Sequence, residues 1–178
     1  MTLMADINKL VPLILKWEGG FANHPNDKGG ATMNGVTIGT FRHFFGAEKT
    51  VEDLKRITNE QWTAVLRECF WKPWKADQIK NQSIANICVD FAWGSGCIKS
   101  VMKVQKAFGL TADGKVGPIT LAVLNGEDAE RVFETIKKER LRYVEAICKA
   151  NPTQNIFLKG WKNRINDFKF KKERYEHI

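Results

Sequence analysis

Apolar residues recur along most of the chain at the three- and four-residue spacing of amphipathic helices. The first such segment covers residues 6–17, with Asp6 as a plausible N-cap, and Pro12 either kinks this helix or marks its first turn. Thr58 and Gln61 have the spacing of a capping box, which marks the start of another helix. The remaining helical segments are predicted at 37–45, 58–70, 84–91, 101–108, 118–124, 129–147 and 157–168.

Residues 18–36 interrupt the helical pattern. This segment contains five glycines, a proline and several Asn and Asp residues, which favour turns and a short hairpin. Loops of this length are uncommon in compact domains and are often functional. We therefore predict a mainly α fold with a small irregular or β-containing segment near residues 18–36, and we expect the functional site there.

Composition and charge narrow the class of protein. Of the 178 residues, 43% are apolar and 27% are charged, as in an ordinary globular domain. The formal net charge of +8 favours anionic partners such as nucleic acid, anionic membranes or cell-wall polymers. Because no nucleic-acid-binding motif accompanies the charge, we do not expect a nucleic-acid partner. The sequence also contains no predicted transmembrane segment and no signal-peptide pattern, so it indicates no export route.

The cysteines and histidines give no sign of a metal site. The cysteines are widely spaced and form no CxxC pair: Cys69, Cys88, Cys97 and Cys148. We interpret them as reduced thiols that serve mainly as small apolar side chains, without disulfides. The histidines are scattered as well: His24, His43 and His177. No phosphate-binding or dinucleotide-binding motif is present, so neither a metal nor an organic cofactor is expected.

Three polar residues in the glycine-rich segment suggest acid–base chemistry. Glu18 ends an apolar helix beside Trp17, and partial desolvation there favours the protonated form that a general acid needs. Asp27 and Thr32 follow in the polar part of the loop. A protonated carboxyl together with an ionised one is the arrangement that glycoside hydrolysis requires.

Each of these residues also has an ordinary structural interpretation. Glu18 alone could be a surface carboxylate at a helix end. Asp27 lies in a stretch that favours a turn, and Thr32 could simply donate a hydrogen bond within a loop.

Taken together, the pattern resembles the start of glycoside hydrolase family 108, whose members are N-acetylmuramidases related to phage-type lysozymes. The matching positions are Glu18-Gly19-Gly20-Phe21, Asn23, Pro25, Asn26-Asp27, Gly29-Gly30-Ala31-Thr32 and Gly35-Val36-Thr37. The resemblance implies a lysozyme-like fold and assigns the family's catalytic glutamate to Glu18. The roles of Asp27 and Thr32 in positioning water follow from the more distant phage-type lysozymes.

The second half resembles the predicted peptidoglycan-binding domain that follows the catalytic part in this family. The similar segments are 104–108, 112–120, Asn155, 157–158, 160–161 and 163–164. We therefore predict a catalytic region at residues 1–97 and a helical peptidoglycan-binding region at 98–178 packed against it. No Pro-, Ser- or Gly-rich linker separates them.

Asp90 and Trp93, which both precede Gly94 in the sequence, are candidate substrate contacts. The family has an aspartate at the position of Asp90, and an asparagine near that of Trp93, where this chain departs from the pattern. A Trp side chain could stack on a sugar ring, although both residues also suit a helix core.

The resemblance implies a peptidoglycan hydrolase, an N-acetylmuramidase that cleaves the β-1,4 bond between N-acetylmuramic acid and N-acetylglucosamine. We expect a monomer that acts on the cell wall, in the periplasm or outside the cell. Two alternatives stay open: a lytic transglycosylase, and a non-catalytic wall-binding or secretion-associated protein.

Overall fold

The computed structural model describes residues 3–24 and 29–172, so Asp27 lies outside the described residues. Its contacts divide the chain into two compact units. We call residues 7–69 the hairpin unit, and residues 1–6 together with 70–178 the helical unit.

The hairpin unit combines short helices with a three-stranded antiparallel sheet in the order β1-β2-β3. Its elements are α1 (Ile7–Leu15), β1 (Phe21–Ala22), β2 (Thr32–Met33), β3 (Val36–Thr37), α2 (Ile38–Phe45), α3 (Val51–Lys55) and α4 (Asn59–Leu66). Leu10 and Ile14 are buried on α1, and Leu54 is buried on α3. Strands β1 and β2 lie within the predicted irregular segment 18–36, and β3 ends one residue beyond it.

The helical unit is built around α5, whose residues from Ser83 to Ala92 are all buried. Its helices are α5 (Gln82–Ser95), α6 (Cys97–Ala107), α7 (Pro118–Leu124), α8 (Ala129–Ala150) and α9 (Asn155–Asp167). Short 3₁₀ turns lie at Ala76–Gln78 and Pro152–Gln154, and a π-helical turn spans Arg67–Trp71. Within this unit α5 packs against α6 and α8, and α8 packs against α9.

Local sequence signals account for most helix boundaries. The Thr58 hydroxyl accepts from the Gln61 amide at 3.1 Å, and the Gln61 side chain accepts from the Thr58 amide at 3.0 Å. This confirms the predicted capping box. Pro118 occupies the first turn of α7, as predicted. Pro12 lies inside α1, which begins at Ile7, so the helix runs through the proline.

The predicted boundary between residues 97 and 98 falls inside the first turn of α6, and the two compact units meet in sequence between Cys69 and Phe70. Helix α5 packs against α6 and α8, so these helices share one compact unit, and the division into regions 1–97 and 98–178 stays a prediction.

Two observations bear on the thiols and on membranes. All four cysteines are free thiols; Cys88 and Cys148 are buried, while Cys69 and Cys97 are partly exposed. Burial raises the pKa of the Cys88 thiol far above its ordinary value. In the part of the chain that the structure describes, no helix has the length and apolar character needed to cross a membrane.

Candidate active site

Glu18 lies in the hairpin unit where α1 gives way to the sheet. Its backbone N–H donates to the Ile14 carbonyl oxygen at 3.2 Å, which closes the last turn after α1. The side chain is half-buried. A Cβ added at Gly19 or Gly20 would meet no atom within 4 Å, so the approach to the segment after Glu18 is sterically open.

A tight hairpin follows Glu18 in space. β1 pairs with β2 through Phe21–Met33 and Ala22–Thr32, and β2 pairs with β3 through Thr32–Thr37 and Met33–Val36. Asn34 and Gly35 connect β2 to β3 with φ values of 48° and 84°. Two successive positive φ values define a type I′ turn, and Asn-Gly is its preferred sequence. This dipeptide was the available sequence signal for the position of the hairpin.

Side chains of α3 and α4 hold this hairpin in place. The Trp62 indole N–H donates to the Asn34 carbonyl oxygen at 3.0 Å, and Trp62 itself is buried. The Asn34 amide donates to the Gly20 carbonyl oxygen at 3.4 Å, which ties the turn to the segment directly after Glu18. The Lys55 ammonium lies 4.6 Å from the centre of the Phe21 ring. The helical spacing of residues 58–70 does not indicate this anchoring role of Trp62, which emerges from the structure.

Thr32 is the second predicted site residue that the structure describes. It lies on the central strand β2, partly exposed, opposite Ala22 on one side and Thr37 on the other. The structure therefore places Glu18 and Thr32 in one unit, with Glu18 between α1 and β1 and Thr32 on β2. Among the described residues no group of His, Cys, Asp and Glu side chains could hold a metal ion.

Asp90 lies on α5 in the helical unit, and its side chain is fully buried. One carboxylate oxygen accepts from Arg140 on α8 at 2.9 Å, and the other accepts from Arg164 on α9 at 2.7 Å. A fully buried carboxylate cannot contact a glycan strand directly. Its contacts give Asp90 a structural role instead, because it joins three helices through one charge.

Arg140 completes this buried cluster. Its guanidinium lies 5.2 Å from the Phe91 ring centre and 5.9 Å from that of Phe168. Burial lowers the pKa of the Arg140 side chain, while the negative charge of Asp90 opposes that shift. The arginine is thus held in the interior by one carboxylate and two aromatic faces.

Trp93, the other predicted substrate contact, is half-buried near the end of α5. Its ring centre lies 5.2 Å from that of Phe70 at an interplanar angle of 52°. Part of the indole thus packs in the core of the helical unit while the rest is exposed.

Gln105 on α6 organises the segment that precedes α7. Its side-chain amide donates to Asp113 and to the Lys115 carbonyl oxygen, both at 2.9 Å, and its oxygen accepts from the Gly114 amide at 3.0 Å. Gln105 is buried. The Lys115 backbone N–H and the Gln105 side-chain amide both donate to the Asp113 carboxylate and lower its pKa.

Two family models match this chain. The glycosyl hydrolase 108 model matches residues 11–96, and a model described as a predicted peptidoglycan domain matches residues 99–166. A solved structure of SagA from Brucella abortus is 30% identical in sequence, with a TM-score of 0.75 over 91% of this chain and 90% of that chain. The chain belongs to the glycosyl hydrolase 108 family. No curated protein matches it.

Membership in glycosyl hydrolase family 108 confirms the resemblance found in the sequence and the predicted mainly α, lysozyme-like fold. With the peptidoglycan domain, it supports a glycoside hydrolase that acts on peptidoglycan. Within that domain, the buried contacts of Gln105 show that the 104–120 motif organises a turn, so the matching residues there have an architectural explanation. Gln105 shares the helical spacing of Val101 and Val104, which indicates an inward-facing position, but that spacing does not identify the groups that Gln105 contacts.

Proposed function

We propose that this chain is an N-acetylmuramidase in which Glu18 is the general acid. Glu18 would donate its proton to the glycosidic oxygen between N-acetylmuramic acid and N-acetylglucosamine. That oxygen leaves as the hydroxyl of N-acetylglucosamine, and water adds to the anomeric carbon of the muramic acid. The reaction takes place in the cell wall.

One observation carries the proposal. In a chain of glycosyl hydrolase family 108, Glu18 is a half-buried carboxyl at a helix end, followed by two glycines with open space around them. Partial burial restricts the side chain, and the open glycines leave room for a polymeric substrate. Such a placement suits a proton donor that must reach a glycosidic oxygen.

As part of the same proposal, Asp27 and Thr32 position the nucleophilic water. Thr32 supports it by lying on the central strand of the hairpin that is tied to Gly20. If Asp27 acts as the base, the product forms with inversion at the anomeric carbon. Asp27→Ala should then lose activity while the protein stays folded, and near-parent activity would leave Asp27 as a turn residue.

The first test exchanges Glu18 for Gln, which preserves the shape of the side chain but removes the transferable proton. Release of reducing ends from purified sacculi should fall by about 10²–10⁴-fold, because general acid catalysis contributes that factor. The matched control is Glu60→Gln, the same change at an exposed residue in the first turn of α4. If Glu18→Gln digests sacculi at the parent rate while folded, Glu18 is not the acid.

Mass spectrometry of the released muropeptides defines the reaction. Hydrolysis by a muramidase yields reducing N-acetylmuramic acid ends. Anhydro-muramyl ends would instead identify a lytic transglycosylase, and binding to sacculi without any cleavage would identify a wall-binding protein.

A further inference from the structure

Two aromatic side chains lie close together on the surface of α9. The ring centres of Phe157 and Trp161 are 5.8 Å apart, and their planes differ by only 26°. Phe157 keeps 47% of its surface exposed, and Trp161 is half-buried. The two rings therefore form a rigid apolar surface that the core of the helical unit leaves partly uncovered.

Gly160 lies beside this pair on the same helix, three residues after Phe157. A Cβ added at Gly160 would meet no atom within 4 Å, and its φ lies outside the left-handed region. Neither packing nor backbone conformation therefore requires a glycine there. A helix with glycine in its interior is less stable than the same helix with alanine there, so Gly160 does not stabilise the fold. Its effect is to leave the helix surface one turn after Phe157 without a side chain.

The helix that carries these residues is firmly attached. Arg164, one turn after Trp161, donates to the buried Asp90. The ammonium of Lys162 lies 2.6 Å from the Glu145 carboxylate on α8. A surface held in one conformation before binding loses little conformational entropy when a ligand arrives.

We propose that Phe157, Gly160 and Trp161 form an aromatic platform that binds the N-acetylated hexosamine rings of the glycan strand. The C–H face of a pyranose ring is apolar and can be buried against an aromatic face.

The choice of a glycan rests on the proposed function and on the match to the peptidoglycan domain at residues 99–166, which contains the platform. The platform lies on the helical unit, whereas Glu18 and Thr32 belong to the hairpin unit. Its role is to retain the polymer, and the proton transfer does not depend on it.

The test measures binding without cleavage, so every variant is made in a Glu18→Gln background. The probes are chitohexaose, measured by calorimetry, and purified sacculi, measured by co-sedimentation. Both are studied in 1 M salt, where the Debye length is about 3 Å and general attraction by the basic surface is screened. Hydrolysis by the parent chain with Glu18 is measured separately, so failure of the proposed function would be recognised independently.

Two variants separate sugar stacking from simple stability. Phe157→Leu keeps an apolar side chain but removes the aromatic face, and it should weaken binding to both probes by about 2- to 10-fold. Gly160→Ala fills the open space, so binding should weaken while the melting temperature rises. The control is Ile119→Ala, which removes an aliphatic side chain that is 72% exposed on α7, and its binding should equal that of the parent.

If Phe157→Leu and Gly160→Ala both bind chitohexaose and sacculi with the affinity of the parent, the platform proposal is wrong. Sedimentation velocity supplies a second check. If the two changes reduce self-association but leave glycan binding unaltered, the surface joins two copies of the chain and the glycan proposal is wrong.

Discussion

The hairpin unit and the helical unit use their polar residues in opposite ways. In the hairpin unit, Glu18 and Thr32 remain partly exposed, and the strands are held by backbone pairing and by one indole. In the helical unit, Asp90 and Gln105 are buried and bonded internally. Polar residues within family motifs thus differ in burial: those of the helical unit have internal partners, and those of the hairpin unit remain accessible to solvent.

The difference also has an energetic side. Strands of two residues bury little surface, so the hairpin depends on a few anchoring contacts. A carboxylate shared by two buried or partly buried arginines makes the fold sensitive to the loss of that single side chain, because its removal leaves a buried positive charge without a partner. We expect substitutions at buried polar residues of the helical unit to affect folding first, and substitutions at the hairpin to affect activity first.

The largest expected effect on stability is that of Asp90→Asn. Removing the negative charge leaves Arg140 buried without its partner, which should lower the free energy of unfolding by about 3–5 kcal/mol. Glu145→Gln is the matched control, because it breaks an exposed pair with Lys162 and should cost at most about 1 kcal/mol. Urea denaturation followed by circular dichroism measures both.

The same variant tests the comparison between the units. At a temperature where Asp90→Asn is folded, it should cleave sacculi at nearly the parent rate. Complete loss of activity in that folded protein would restore Asp90 as a candidate substrate contact.

An intermediate effect is expected for Gln105→Ala. The change removes the acceptor of the Gly114 amide and the donor to Asp113, and it leaves a small cavity. A loss of about 2–3 kcal/mol follows from the unpaired groups and the lost packing. Lys106→Ala, the exposed neighbour on α6, should change stability by less than about 0.5 kcal/mol. Equal melting temperatures for the two variants would contradict an architectural role for Gln105.

The smallest effect on stability is expected in the hairpin. Gly35 has φ of 84°, and alanine there should cost about 1–2 kcal/mol. Activity should fall as well, because the turn connects the strand of Thr32 to β3. Gly39→Ala is the control, since this glycine lies in α2 and a Cβ there meets only Thr37 Oγ1 at 3.9 Å. If Gly35→Ala retains full activity, the hairpin does not support the site.

The helices could be predicted because their signals are local. The Thr58 capping box and Pro118 each mark a boundary within a few residues. The five-residue helix α3 was missed, since so short a segment carries little periodicity, although Thr50 and Asp53 form a capping box. The division of contacts at Cys69 and Phe70 has no local signal, because no loop or change of composition marks it.

The candidate site was partly accessible from the sequence. Glu18 could be proposed because the surrounding motif resembles the start of glycoside hydrolase family 108, whereas a glutamate at a helix end before two glycines would not suffice alone. The role of Asp90 could not be inferred, because its partners Arg140 and Arg164 lie 50 and 74 residues away. Helical spacing shows that a position faces inward, but it does not identify the group that meets it there.

The bond between Trp62 and the hairpin has a consequence for how this segment can diversify. The indole donates to a main-chain oxygen of Asn34, which every amino acid at that position provides. The side chain of Met33, which the hairpin displays, can therefore change during evolution or in the laboratory while this bond is kept. Libraries that vary Met33 and preserve Trp62 would measure how much sequence variation the hairpin tolerates.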